Sequence, residues 1–372
     1  MSDKKIKALI AGTFLEMADA LETGEYGKKP VIGLASEGSE HGQENIEEAI
    51  RIAQHKGVKT LLIEGEDIHK QMEELLDSGK IDAAVTMHYP FPIGVSTVGK
   101  VITPGKGKPL YIATTTGTAD TNRVCAMVKN AVRGIIAAKA DGVENPTVGI
   151  ANIEGARQAE KALLLLQENG YDIHFAESAR AEGGIVMRGN DLLSGTPDIM
   201  VMDSLTGNLM VKIFSAYATG GSYEALGFGY GPGIGEDFGR LIMIASRASG
   251  APVIAGAMEF AENLVKHDWK KIADEEFKKA AKAGFENILQ GIRDSGKKDA
   301  PAAEEVKMPP KEICVEQIPG IEVMDLEDAV KVLWKAGIYA ESGMGCTGPI
   351  VLIAAGNKEK SYEILKTAGY VG

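Results

Sequence analysis

Cysteine is scarce in this chain, and this limits the kinds of site that the chain can build. Its 372 residues contain three cysteines, Cys125, Cys314 and Cys346, and none of them belongs to a CxxC pair. This pattern argues against both a disulfide framework and a structural zinc site, and it indicates a reducing compartment. The sequence therefore predicts a cytoplasmic protein.

Long apolar runs are missing as well. No stretch approaches the roughly 18 consecutive apolar residues of a membrane span. Near the N-terminus, lysines precede an apolar run as in a signal peptide, but Glu16 and Asp19 interrupt that run and no small-residue cleavage site follows. Helical spacing predicts instead a docked amphipathic helix, whose apolar face is formed by Ile6, Leu9, Ile10, Phe14, Met17 and Leu21.

Basic clusters and the common nucleotide and metal motifs are also absent. The net charge is −12 and no long Lys/Arg cluster appears, which argues against nucleic acid or an anionic membrane surface as a partner. There is no P-loop, HExxH pair or Gly-x-Ser-x-Gly elbow, and the run from Gly233 to Gly239 has one residue too many for GxGxxG. The six histidines are scattered, so neither a metal site nor a tightly bound cofactor is predicted.

What the sequence does contain is an alternation of short β-like runs with helical patterns. This alternation indicates the α/β class, with a parallel sheet covered on both faces. Strands are predicted at Val31–Ala35, Thr60–Ile63, Ala83–Thr86, Leu110–Thr114, Thr147–Ala151, Ile173–Ala176, Ile199–Met202 and Ile350–Ala355. Helices are predicted at Glu44–Lys56, Arg123–Ala138, Gln158–Glu168, Phe277–Arg293, Leu326–Ala336 and Lys358–Ala368. The glycine-dense stretch 220–239 is predicted to be a mobile active-site or interface loop, and 295–311 an exposed linker.

Three turns between a predicted strand and a predicted helix share one design. They are rich in Gly, Thr, Ser and Asn, and they contain the candidate anion-binding residues Thr115, Thr116, Gly117, Asn152, Gly207 and Asn208. Such turns present free backbone N–H groups and a helix N-terminus, which suit a phosphate. Lys212, one helical turn after Asn208, would add a full charge. For any one turn alone, helix capping is the favoured interpretation. All three turns lie at strand C-termini, where α/β proteins bind ligands, and together they favour anion binding.

Cys346 differs from the other two cysteines in its neighbours. It lies in the run Gly345-Cys346-Thr347-Gly348, whereas Cys125 and Cys314 are flanked by apolar residues. Flanking glycines leave a thiol accessible, and surrounding N–H donors would favour the thiolate, the form that attacks acyl carbon. The alternative interpretation, a small buried residue in a tight turn, fits Cys125 and Cys314 better than Cys346.

The stretch from Thr147 to Lys212 resembles the phosphate acyltransferase of bacterial phospholipid synthesis. The resemblance rests on residues 148–153, on the run from Asp203 to Asn208, and on Lys212; in the first turn, Thr115 stands where that family has Asn. More broadly, the pattern resembles the phosphotransacetylase superfamily. This implies two α/β domains with parallel or mixed sheets, similar to isocitrate and isopropylmalate dehydrogenases, with the active-site cleft between them.

The cysteine run, the stretch 220–239 and the N-terminal helix together resemble the alpha subunits of component C of the glycine/sarcosine/betaine reductase complex. The resemblance covers nearly the whole chain. It implies that Cys346 carries an acetyl thioester, received from selenoprotein A, and that inorganic phosphate releases it as acetyl phosphate. It also implies a component C beta subunit as partner, and an oligomeric assembly is expected.

On this interpretation Cys346, Lys212 and Asp203 are the candidate catalytic residues, with Asp203 orienting Lys212 or transferring a proton. A purely structural role for Asp203 at the start of the next helix is an equal alternative. Because Cys346 must reach the phosphate turns, the predicted first domain is 1–140 completed by 305–372, and the second is 141–304. Two other functions remain open: acyl transfer from acyl-carrier protein to phosphate without a covalent cysteine, and a non-catalytic docking subunit. A dehydrogenase is disfavoured because the chain has neither a dinucleotide motif nor clustered metal carboxylates.

Overall fold

The computed structural model describes residues 29–180, 183–295, 306–321, 325–345 and 348–371, together with eight positions between 7 and 21. Those eight positions are helical, as predicted. However, their apolar side chains are exposed: Ile10, Phe14, Met17 and Leu21 are 45% to 85% accessible. The expectation that this helix is docked is therefore wrong for the described residues, because its apolar side chains pack against nothing that would cover them.

The strands of the described residues are bounded as follows. They are β1 Val31–Ala35, β2 Lys59–Ile63, β3 Ala83–Thr86, β4 Val95–Ile102, β5 Pro109–Thr118, β6 Thr147–Ala151, β7 His174–Phe175, β8 Val186–Met187, β9 Ile199–Val201, β10 Gly231–Ile234, β11 Ile242–Ile244, β12 Cys314–Pro319, β13 Ala340–Gly345 and β14 Gly348–Ala354. Each predicted strand has a counterpart here, and three of them match to the residue.

The helices of the described residues from residue 42 onward are bounded as follows. They are α1 Gly42–His55, α2 Ile68–Asp77, α3 Arg123–Ala140, α4 Ala156–Glu168, α5 Gly189–Ser194, α6 Ser204–Ala216, α7 Ala251–Lys266, α8 Trp269–Lys282, α9 Phe285–Ser295, α10 Leu326–Lys335 and α11 Lys358–Thr367. The single helix predicted at 277–293 is wrong: α8 ends at Lys282 and α9 begins at Phe285. Gly284, with φ of +79°, separates them, because this left-handed conformation interrupts a helix.

One large mixed sheet organises the described part of the chain, which confirms the α/β class. Its strand order is β2-β1-β3-β11-β10-β4-β5-β9-β6-β7, and β8 also pairs with β6. Strands β1, β2, β3 and β11 are parallel to one another, and so are β5, β9, β6, β7 and β8. Between these groups, β10 and β4 are joined by antiparallel pairing, which reverses the direction of one group relative to the other.

Helices α3 and α6 cover opposite faces of β5. Alternate residues of a strand point to opposite faces, so Tyr111 and Ala113 pack in the core that contains α3, while Leu110 and Ile112 pack in the core that contains α6. Helix α3 is buried along most of its length, and it lies between the sheet and α8. Packing against β5 fixes where α3 and α6 begin, at the edge of the sheet where β5 ends.

The glycine-dense stretch 220–239 is not only a loop, contrary to the prediction. Residues 231–234 form β10 in the centre of the large sheet. A Cβ at Gly231 would overlap the carbonyl group of Val98, and one at Gly235 would lie 2.7 Å from a methyl carbon of Val95. The glycines are therefore explained by close packing of neighbouring backbone and side chains.

The C-terminal strands form a separate sheet. Among the strands that the structure describes, β12, β14 and β13 pair with one another, in that order and antiparallel, and with none of the large sheet. With α10 and α11 they enclose a core that includes Ile318, Leu333, Val351 and Leu365. The Lys161 amino group in α4 donates a hydrogen bond to a carbonyl group of this tail, that of Gly369. The two-domain division and the association of this tail with the first domain stay predictions.

Two kinds of feature are absent from the described residues. None of the helices there is both long and apolar enough to cross a membrane. Within the same residues, no group of three or more His, Cys, Asp or Glu side chains is arranged to hold a metal ion.

Candidate active site

The three predicted turns lie at one edge of the large sheet. They follow β5, β9 and β6, which are adjacent and parallel, so the carboxyl ends of these strands meet at the same edge. Each strand is followed by a helix, α3, α6 and α4 respectively. The arrangement matches the expectation from the sequence and makes this edge the candidate active site.

In the first turn, the Thr115 hydroxyl is already occupied by protein partners. Thr115 is fully buried, and its hydroxyl lies 2.6 Å from the Thr97 hydroxyl and donates to the carbonyl of Tyr230, also at 2.6 Å. The Thr116 N–H donates to Thr97 Oγ1 at 3.0 Å. The Thr115 side chain is therefore not presented to a phosphate in this conformation. Its main-chain carbonyl group accepts a hydrogen bond from the Asn208 side chain instead.

Gly117 and Gly207 allow the first and third turns to approach other backbone closely. Gly117 has φ of +79°, and a Cβ there would lie 2.5 Å from the Val95 carbonyl oxygen. A Cβ at Gly207 would overlap the Thr114 carbonyl oxygen. Next to it, Asn208 Nδ2 donates to the Thr115 carbonyl at 3.2 Å. The first turn of α6 is thus packed directly on the end of β5.

This packing predicts that Gly207→Ala destabilises the protein by about 3 kcal/mol, because the added methyl group must push α6 away from β5. The measurement is the free energy of unfolding in urea. The control is Gly291→Ala in α9, where a Cβ meets nothing within 4 Å and a gain of about 0.5–1 kcal/mol is expected. Equal stability of the two variants would contradict this description of the α6–β5 contact.

Asp203 caps helix α6. Its Oδ1 accepts from the N–H groups of Leu205 and Thr206 at 3.0 Å, and its Oδ2 accepts from the Thr206 hydroxyl at 2.8 Å. Burial would raise the pKa of Asp203, but the hydrogen bonds from Thr206 and the guanidinium of Arg123 outweigh it and hold the pKa below its usual range. Asp203 therefore stays ionised at neutral pH, which suits a cap better than a proton donor.

Of the alternatives for Asp203, the structure shows the structural one, because Lys212 is oriented by other groups. The Lys212 amino group lies 2.7 Å from Glu224 Oε1 and 3.2 Å from the Ser246 hydroxyl. Glu224 is 1% exposed and also accepts from the hydroxyls of Tyr230 and Ser249, at 3.0 and 2.8 Å. The buried carboxylate is thus held from three sides, and it holds Lys212, whose side chain is 46% exposed.

Arg123 forms ion pairs with the turn after β6 and with the turn after β9. It is the first residue of α3, and its guanidinium contacts Glu154 Oε2 at 2.6 Å and Asp203 Oδ2 at 3.2 Å. Asn152, in the same turn as Glu154, is exposed, and its main-chain N–H donates to the Met187 carbonyl. Sequence reasoning missed Arg123 and Glu224. Arg123 could have been found as a basic residue at a helix start, whereas nothing local marks Glu224.

Of the three cysteines, Cys346 lies outside the described residues, as does Thr347. The strands on either side, β13 and β14, pair Gly345 with Gly348. Cys125 is buried and Cys314 is half-buried, and burial raises the pKa of both thiols. Neither is therefore activated as a nucleophile.

Comparisons with known proteins give a consistent picture. The sequence model of a family described as "Fatty acid synthesis protein" matches residues 8–352. The "Glycine/sarcosine/betaine reductase complex component C subunit alpha" of Peptoclostridium acidaminophilum is 57% identical over 387 aligned residues, which cover 100% of both chains. "Phosphate acyltransferase" of Phenylobacterium zucineum is 30% identical over 161 residues, 41% of this chain and 44% of that one. The Thermotoga maritima protein of the same name is 29% identical over 39% of this chain and 47% of its own length.

Proposed function

This chain belongs to the family of alpha subunits of component C of the glycine/sarcosine/betaine reductase complex, and from this premise we propose that it transfers an acetyl group from a thioester on Cys346 to inorganic phosphate. The observation that carries the proposal is the start of α6 at the end of β5, where Asn208 contacts the Thr115 carbonyl, Lys212 follows one helical turn later, and Arg123 contacts the cap of the helix. It provides an amide and two cations at the position where α/β proteins bind ligands.

The proposed step is the attack of inorganic phosphate on the acetyl thioester. An oxygen of hydrogen phosphate attacks the carbonyl carbon of the acetyl thioester, so that a C–O bond forms and the C–S bond breaks. The sulfur of Cys346 leaves with the electron pair of that bond and takes up the proton of the phosphate. The products are acetyl phosphate and the free thiol, and no oxidant, reductant or metal ion is required.

Lys212 is the residue best placed to hold the phosphate. It lies one helical turn after Asn208, so both side chains project from neighbouring positions of α6. Glu224 and Ser246 fix the amino group, which reduces the entropy lost when a phosphate binds. The same charge would stabilise the oxyanion that develops on the carbonyl oxygen in the transition state.

The remaining predicted residues have supporting roles in this proposal. Asp203 caps α6 and anchors Arg123. Thr115 positions Asn208 through its carbonyl group, and Gly117 and Gly207 permit the close approach of the turns. Thr116 and Asn152 remain proposed donors to phosphate or the oxyanion.

The partners proposed are the component C beta subunit and selenoprotein A. The outer face of α6, beside the candidate site, carries exposed apolar side chains, those of Leu205, Leu209 and Ile213. Exposed apolar side chains grouped on one helix favour a protein–protein contact. A contact there would bring a partner next to Asn208 and Lys212.

Acyl transfer from acyl-carrier protein to phosphate is the second candidate function. It is favoured by the partial matches to phosphate acyltransferases, which cover about two fifths of this chain. That reaction uses the same phosphate site but needs no covalent cysteine. The two functions therefore differ in whether an acetyl group is ever attached to Cys346.

Arsenate-dependent breakdown of acetyl phosphate tests the proposed function. In the reverse direction, Cys346 would accept the acetyl group from acetyl phosphate, and arsenate would remove it as acetyl arsenate, which hydrolyses to acetate. We expect the chain to consume acetyl phosphate in the presence of arsenate and much more slowly without it. No arsenate-dependent loss, even with the beta subunit added, would contradict the proposal and favour a docking role.

A further inference from the structure

A second candidate site is a cavity of about 310 Å³ between α3, the β3–β4 connection and α9. It contains none of the residues assigned above to phosphate binding. Gly94 in its wall donates a hydrogen bond to the Thr118 carbonyl at the end of β5, so the cavity lies beside the first turn. Its walls include the rings of Phe238, Phe277 and Phe285.

The inner wall of the cavity includes a buried arginine without an ion-pair partner. Arg133 is 4% exposed; its guanidinium donates to the Ser96 hydroxyl at 2.9 Å and to the Gly94 carbonyl at 2.6 Å. Its Nε has no hydrogen-bond acceptor, and no carboxylate among the described residues forms an ion pair with it. Burial lowers the pKa of Arg133 to about 10, so it remains charged at neutral pH.

The groups around Arg133 leave an excess of positive charge inside. Lys129, also in the wall, pairs with Asp120 at 2.7 Å, and Arg293 pairs with the same carboxylate at 2.7 Å. Asp120 is therefore shared by two cations and forms no ion pair with Arg133; Asp120 and Glu236 act on the Arg133 guanidinium only at a distance, where both raise its pKa. An oxyanion in the cavity would supply the missing partner.

The rim of the cavity has the opposite charge. Glu236, Asp237 and Glu286 line it and are exposed. A dianion such as phosphate would be repelled by these three carboxylates, and a simple cation would be repelled by the positive charge inside. Aromatic rings in the wall add favourable surface for a cationic group.

We propose that this cavity binds a small zwitterion, with its carboxylate on Arg133 and its cationic group among the rim carboxylates. This site does not depend on the proposed acyl transfer, because the two sites share no residue.

The test is isothermal titration calorimetry on the full chain with glycine, β-alanine and γ-aminobutyrate, which space the two charges differently. Propionate and ethylammonium, each with one of the two charges, serve as matched probes. We expect at least one zwitterion to bind about threefold to tenfold more tightly than either. Arg133→Met is expected to weaken zwitterion binding by about 10- to 100-fold.

The double variant Glu236→Gln/Asp237→Asn removes two exposed carboxylates and keeps Arg133. It should abolish the preference for the zwitterion over propionate while propionate still binds. The control Glu44→Gln/Glu47→Gln removes two exposed carboxylates from α1 and should change nothing. Lys212→Met should also keep zwitterion binding, so that a failure of the proposed acyl transfer is recognised separately.

Three results would overturn the proposal. The first is unchanged binding in a folded Arg133→Met variant. The second is a preference for propionate over every zwitterion, which would identify a site for simple anions. The third is the absence of binding by all of the zwitterions.

Discussion

Replacement of Cys346 by serine is expected to reduce acetyl phosphate turnover by at least about 10³-fold, because the covalent acetyl carrier is lost. A serine hydroxyl is a far weaker nucleophile than a thiolate at neutral pH, and an ester is less readily attacked by phosphate than a thioester. The measurement is the rate of arsenate-dependent acetyl phosphate breakdown by the variant under saturating substrate.

The control for this prediction is Cys314→Ser. Cys314 is half-buried at the start of β12, and burial raises its thiol pKa, so it should contribute nothing to the chemistry. Full activity in Cys346→Ser would contradict the thioester mechanism and favour direct transfer from acyl-carrier protein. A loss of activity in both variants would indicate a general effect on folding.

Lys212→Met should lower turnover by about 10²–10³-fold, the usual cost of losing one group that stabilises an oxyanion. Methionine keeps much of the length of the lysine side chain but carries no charge. Lys212 is the only cation of α6, so no other side chain of that helix can replace its charge. The measurement is turnover together with the KM for phosphate, and both are expected to worsen.

Two further variants show whether the effect is specific to Lys212. Lys278→Met, on the exposed side of α8, removes one positive charge at a distance and should leave turnover unchanged. Glu224→Gln keeps the lysine charge and can still accept from Tyr230 and Ser249, but it no longer holds the amino group by charge. We expect an intermediate loss, mainly in the KM for phosphate. Equal activity of Lys212→Met and Lys278→Met would exclude Lys212 from the site.

The outer strands of the sheet could be predicted from the sequence. β1, β3 and β6 are short apolar runs bounded by turn residues, and their predicted limits match the structure. The convergence of the three turns also follows from the sequence, because alternating strands and helices place strand C-termini at a common edge. These features depend on local pattern and on one general rule of topology.

The centre of the sheet could not be predicted in the same way. β10 consists of Gly231–Ile234, and its glycines are explained by contacts with Val98 and Phe91, residues more than 130 positions earlier. Local propensity indicates a loop there, and tertiary packing determines a strand. The same holds for Glu224, whose role is visible only when Lys212 and Tyr230 are brought together.

The roles of the polar residues could not be decided from the sequence for a similar reason. A Thr-rich turn and an Asp before a helix are each compatible with ligand binding and with a structural role. In the structure, the Thr115 hydroxyl is bonded to Thr97 and Tyr230, and Asp203 caps α6. A residue type shows which bonds a side chain is able to make, while the fold decides which of them are already made.

The central claim is that an acetyl group passes through Cys346, and peptide mapping by mass spectrometry after incubation with acetyl phosphate tests it most directly. The account predicts an acetyl group on the peptide that contains Cys346, removed when phosphate or hydroxylamine is added. The Lys212→Met variant should acquire this group far more slowly. An enzyme that turns over acetyl phosphate at its full rate with no acetyl group on Cys346, or with the group on another residue, would contradict the account.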